Sequence, residues 1–146
     1  EKLMARIPPS TRDQFPMFRS VPTRWHDNDL YGHMNNGIHY QLFDTVVNGW
    51  MMEVGLLEFK AEHAFIVAET GCRYHGDIMY PDVVHAGMRI SKLGGSSIIW
   101  EIGLFRNDAE VAAADGKFVH VHVIREGHRP TPMSDATRAV FEPLVR

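Results

Sequence analysis

The chain has 146 residues, 45% of them hydrophobic and 23% charged, enough apolar material for one domain with a buried core and too much for a disordered segment. Fifteen basic residues against eighteen acidic ones leave a net charge of -3, which gives no global positive field and excludes a general polyanion binder, so no nucleic-acid partner is expected. A single cysteine, Cys72, excludes an internal disulfide, and no apolar run approaches the ~20 residues of a membrane span; a cytoplasmic protein with no membrane partner is expected.

Residues 1–20 are rich in proline and charge (Pro8, Pro9, Pro16) and are expected to form an extended arm. Its apolar anchors Phe15, Met17 and Phe18 are expected to fold across a neighbouring subunit. Residues 21–146 are expected to form a single domain. It would begin with a short strand over 21–29. Asn35 or Asn36 then caps a helix, since asparagine is a preferred N-cap. Within that helix Phe43, Val46, Val47, Trp50, Met51 and Val54 recur at three- and four-residue spacing, and Gly55 ends it. Few polar residues break its surface, which predicts a helix nearly engulfed by its surroundings.

After Gly55 the helical period gives way to segments rich in Val, Ile and aromatics, over 64–74, 83–93, 97–106 and 111–125. Turns separate them at Gly76-Asp77 through Pro81-Asp82, at Gly94-Gly95 and at Asn107-Asp108. In 97–106 both alternating faces are substantially apolar, so one face is expected to pack on the helix and the other on a second subunit. A short helix over 134–142, capped by Ser134 or Asp135, closes the chain. The order predicts an α+β domain in which a five-stranded antiparallel sheet wraps one long helix.

The most informative stretch is Arg24-Trp25-His26-Asp27-Asn28-Asp29-Leu30-Tyr31-Gly32-His33-Met34-Asn35-Asn36. It places a carboxylate beside a helix N-terminus, which offers unpaired N–H groups and a partial positive charge to an oxyanion. That pairing points to acyl chemistry. There is no Gly-x-Ser-x-Gly nucleophile elbow. Asp27 is expected to brace the loop by hydrogen bonding, and Gly32 to permit the backbone to turn with positive φ. His26, His33 and His39 lie near the two aspartates, but their spacing matches no established metal signature. His120 and His122 share one face of the last long strand and are expected in the core or an interface. Cys72 is expected to be a buried, inert strand residue.

This stretch resembles the hotdog-fold acyl-CoA thioesterases, specifically the 4-hydroxybenzoyl-CoA thioesterase-like branch. Gly71-Cys72-Arg73-Tyr74 with Pro81-Asp82, the segment from Arg89 to Ser97, and residues 117–123 agree with it, so the likeness spans nearly the whole chain. The resemblance implies hydrolysis of an acyl-CoA thioester to free acid and CoA. It implies sheets paired edge to edge in a homodimer or homotetramer, with each active site at the dimer interface. It implies Asp29 as nucleophile or general base, and the Asn36 backbone N–H as the group that polarises the carbonyl. Gly32, His33, Asn35, Ser96 and Ser97 would contact substrate, and Arg89 and Lys92 could meet the nucleotide phosphates. No metal or cofactor is implied, CoA being part of the substrate.

Two other functions compete. Hydratases of the same fold carry an Asp and a His with four residues between them. Here three residues separate Asp29 from His33 and five separate Asp27 from it, which argues against that chemistry. A non-catalytic acyl-CoA-binding module is the other, and it would gain nothing from a carboxylate beside a thioester.

Overall fold

The helix expected after the asparagine pair runs Asn36–Glu53 (α1). Asn35 caps it, its side chain accepting the Gly37 N–H at 2.9 Å. It ends where Gly55 takes φ +81°, a left-handed conformation that glycine adopts without steric cost. Leu42, Phe43, Val46, Val47, Trp50 and Met51 are all buried, as the spacing predicts.

The computed structural model describes residues 7–146 and wraps a curled sheet around this helix. The strands are β1 (Met17–Pro22), β2 (His63–Tyr74), β3 (Val83–Leu93), β4 (Ser97–Arg106) and β5 (Ala114–Ile124), ordered β1-β3-β4-β5-β2. All pairs are antiparallel, and a two-residue strand, β6 (Arg129–Pro130), adds to β5. A second helix, α2 (Asp135–Phe141), is capped by Ser134 and brings Phe141 against Trp50 and Trp100. The expected α+β architecture, a five-stranded antiparallel sheet around one long helix, is therefore present. Helix and sheet touch closely: a Cβ added at Gly116 of β5 would lie 2.3 Å from the Phe43 ring.

The N-terminal part departs from expectation. The first strand is Met17–Pro22, not 21–29, so residues 17–20 of the expected arm belong to the sheet. They pair with β3 in a register running from Met17↔Met88 to Pro22↔Val83. Residues 25–27 instead form a 3-10 turn, because the Asp27 carboxylate folds back on Arg24. Phe15 and Phe18 also make contacts on their own chain. Phe15 fills a notch on the outer face of their own sheet made by Gly87 and Gly103, and both rings pack on Phe105. Part of the outer cover assigned to a second subunit thus comes from the same chain. Residues 1–6 of the expected arm lie outside the described residues. The last long strand starts at Ala114 rather than 111, since the Ala113 carbonyl accepts the His75 and Gly76 N–H groups at 2.8 and 2.9 Å.

His120 and His122 both face the core, 1% and 6% exposed. His122 has a partner for Nδ1, the Thr131 carbonyl at 2.8 Å. His120 has none, and its ring lies between Phe65 and Phe118. Burial pushes its pKa down to about 4. Between pH 6.5 and 4 the unfolded chain therefore takes up a proton that native His120 refuses, and stability falls as pH falls through that window. The whole difference is worth about 3 kcal/mol. His120→Leu should flatten the dependence of the urea midpoint on pH between 6.5 and 4; an unchanged slope would place the acid sensitivity elsewhere.

Candidate active site

The segment between β1 and α1 is held by backbone and by one buried carboxylate. Thr23 donates its N–H and hydroxyl to the Asp82 carbonyl, anchoring the end of β1 to the loop before β3. Asp27, 3% exposed, accepts the Arg24 N–H at 2.8 Å and its guanidinium at 3.0 and 2.7 Å. The Asp27 carbonyl accepts the Asn35 N–H at 2.8 Å, so the same residue also fixes the helix cap. Asp27 is the brace that the sequence suggested.

Residues 28–34 form a tight hairpin-like loop. Asn28 and Met34 pair as an isolated bridge, and the Asp29 N–H donates to the His33 carbonyl at 2.7 Å. Gly32 turns the chain with φ +78°. The 76–82 loop cradles this hairpin: the Met34 N–H donates to the Ile78 carbonyl at 2.7 Å, and the Tyr80 N–H to the Asn28 side chain at 3.1 Å.

Asp29 is exposed at the mouth of this loop. Its Oδ1 accepts the Tyr31 N–H at 2.8 Å and the His33 N–H at 3.3 Å. Among the described residues nothing donates to Oδ2. One carboxylate oxygen is therefore fixed and the other is available to a reacting group. Across the hairpin, α1 begins, and among the described residues no group accepts the Asn36 N–H. An acid with a free oxygen thus lies in the loop that leads, seven residues on, into an unpaired donor at the positive end of an 18-residue helix.

Several neighbours make contacts with this arrangement that sequence spacing does not show. Asp77 sits 3.5 Å from His33 Nε2, in a pair exposed enough to contribute little energy. Tyr74, at the end of β2, donates its hydroxyl to the Asn36 carbonyl at 3.0 Å, and buried His39 places Nδ1 3.1 Å from the same oxygen. Burial holds the His39 pKa below its ordinary value, offset in part by hydrogen bonds to the Asn36 and Asn35 backbone. Trp25, Leu30 and Tyr31, at 77%, 101% and 84% exposure, form an apolar collar round the loop with Tyr80.

Other expected contacts are not assembled within one protomer. Ser96 and Ser97 lie in the β3–β4 turn, where the Ser96 and Ser97 carbonyls accept the His122 and Gly94 N–H groups. The Asp29 loop is anchored at the opposite end of β3, whose 11 residues span roughly 35 Å. Arg89 is engaged on the outer face, paired with Glu101 at 3.2 Å and stacked over Phe15. Cys72 is half-buried, and desolvation pushes its thiol up to about 11, away from nucleophilic reactivity. Among the described residues no three His, Cys, Asp or Glu side chains converge as a metal site, and no helix is long and apolar enough to cross a membrane.

Asp27 and Asp29 should separate experimentally. Asp27→Ala should lower the urea midpoint, because it releases the 3-10 turn and the donors of Arg24. Asp29→Asn retains an Oδ1 acceptor and should stay within about 0.5 kcal/mol of the parent. Equal destabilisation by the two would contradict this division.

A family model described as "Thioesterase-like superfamily" matches residues 23–141. The PA5185 protein of Pseudomonas aeruginosa superposes with a TM-score of 0.90 at 37% identity, over 94% of this chain and 97% of its own. A Thermus thermophilus thioesterase solved with coenzyme A and zinc gives 0.74 at 31% identity, over 89% and 95%. The Bacillus subtilis protein YsmA is 23% identical over 124 residues, 85% of this chain and 84% of its own.

Proposed function

The chain belongs to the thioesterase-like superfamily, and on that premise we propose that it hydrolyses an acyl-CoA thioester to a free acid and coenzyme A. The observation that carries this reading is the Asp29 carboxylate, pinned by one oxygen and open at the other, in the loop that leads into α1, whose Asn36 N–H has no acceptor among the described residues. A thioester carbonyl placed between them would have its carbon next to Asp29 Oδ2 and its oxygen on the Asn36 N–H. A donor so placed in other acyl-transfer enzymes is worth roughly 2.7–4 kcal/mol of barrier. The carboxylate either attacks the carbonyl carbon or removes a proton from the water that does. If Asp29 attacks, its C–O bond forms as the C–S bond breaks, and water then opens the acyl-aspartyl anhydride to release the free acid and restore Asp29. If water attacks, Asp29 takes its proton and the free acid forms as the C–S bond breaks. In both routes the sulfur leaves as thiolate and the proton from water ends on it.

Coenzyme A as the thiol carrier is supported by the coenzyme-bound Thermus relative. Two features support a site shared between copies of the chain. β2 is a 12-residue edge strand with a free row of backbone groups, a template for pairing with another sheet edge. Ser96 and Ser97 lie a full strand length from Asp29, so any contact they make with its substrate must come from another protomer. Gly32, His33 and Asn35 remain the substrate-facing positions of the same protomer, and the apolar collar is the surface offered to the acyl group or the partner. A homodimer or homotetramer follows from this reading. The lone half-buried thiol supports a reducing, cytoplasmic setting.

Thiol release from a panel of acyl-CoAs, with wild type and Asp29→Asn side by side, tests the proposal. Wild type should turn over at least one member, and the variant should lose at least about 100-fold in kcat. Equal rates would remove Asp29 from the chemistry, and no turnover on any thioester would overturn the hydrolase reading.

A further inference from the structure

The first turn of α1 is tied down at one atom. The Asn36 carbonyl, already placed to accept within the helix, is approached by the Tyr74 hydroxyl at 3.0 Å and by His39 Nδ1 at 3.1 Å. The two rings meet edge to face, 4.8 Å apart at 90°. Tyr74 comes from the sheet, 38 residues away in sequence and opposite Ala114 in the β2–β5 register. Although the residue is 44% exposed, its hydroxyl is bound to the helix.

The bonds run on from that carbonyl. The Asn36 carbonyl and the Gly37 N–H belong to one peptide group, and that N–H donates to the Asn35 capping oxygen at 2.9 Å. Donors on the carbonyl polarise the peptide and strengthen the cap bond beyond it. The peptide on the other side of Asn36 carries the N–H that faces the site. The Asn35 carbonyl of that peptide accepts the Ile38 N–H at 2.9 Å, so both peptides that flank Asn36 are held.

We infer that Tyr74 is a positioning residue for the thioester reaction: with His39 it holds the Asn36 carbonyl, and so aims the Asn36 N–H at the developing oxyanion. The inference rests on the function proposed above and assigns to β2 a role beyond pairing with another sheet. Both side chains hold the protonation state the task requires. Burial, with Cys72 and Tyr40 adding, pushes the Tyr74 phenol up to about 12, so it remains a donor. Buried His39 stays neutral, with its proton on Nδ1 to make this bond, and adds no charge at a helix end that would oppose it.

Tyr74→Phe in the full chain removes the hydroxyl and keeps the ring against His39. It should be assayed with the acyl-CoA that wild type turns over fastest, with Asp29→Asn as the parallel control. The expected result is a kcat lower by roughly 10-fold with KM within about twofold, since misaimed donors act on the transition state more than on binding. Wild-type kcat in Tyr74→Phe, with Asp29→Asn inactive, would overturn the positioning role and leave the thioesterase reading standing. A rise in KM without loss of kcat, or a chain that fails to fold, would make Tyr74 a structural tether and overturn it equally. Absence of turnover in wild type would overturn both.

Discussion

A single buried carboxylate sets the geometry on which the site depends. Asp27 closes the 3-10 turn by accepting the backbone and side chain of Arg24, while its own carbonyl holds the N–H of the helix cap, Asn35. The turn and the helix start are thereby fixed to one residue. Only the short hairpin between them is left to present Asp29, and that hairpin has one tight way round, through Gly32. The acid exposed to solvent is positioned by the acid that is not.

The core does the corresponding work for the helix. α1 is buried along Leu42, Phe43, Val46, Val47, Trp50 and Met51, and Phe43 sits directly on the backbone of β5 because Gly116 has no side chain there. Close packing of this kind resists small shifts of the helix along its axis. At its N-terminal end the same helix is bound laterally to β2 through Tyr74. The donor at Asn36 is thus held by core packing from one direction and by polar contacts from another, while the loop that carries Asp29 stays at the surface.

Much of this was legible in the sequence because it is local. The bounds of α1 follow from an asparagine cap, apolar spacing and a terminal glycine, all within one segment. β3 and β4 follow from alternating apolar residues between strong turn signals. That Asp27 braces the loop while Asp29 is left exposed is legible only with Gly32, His33 and the asparagine pair attached, since an isolated Asp-x-Asp signals no more than a turn. What could not be read depends on contacts distant in the chain. β1 starts at Met17 because it has a partner in β3, and Phe15 folds back because Gly87 and Gly103 open a notch in strands some 70 to 90 residues on. No spacing rule links Tyr74 to Asn36 or Asp77 to His33; the sheet brings them together. The Gly94-Gly95 turn is legible in the sequence, but the distance of the neighbouring Ser96 and Ser97 from the Asp29 loop emerges only once β3 is laid out at full length.

The central claim is that Asp29 and the Asn36 N–H act on the same carbonyl. A crystal structure with a non-hydrolysable acyl-CoA analogue, the thioester sulfur replaced by methylene to leave a ketone, tests it most directly. The account predicts the ketone oxygen within about 3 Å of the Asn36 nitrogen, with the carbonyl carbon facing Asp29 Oδ2. An analogue bound with its carbonyl away from both groups would contradict it.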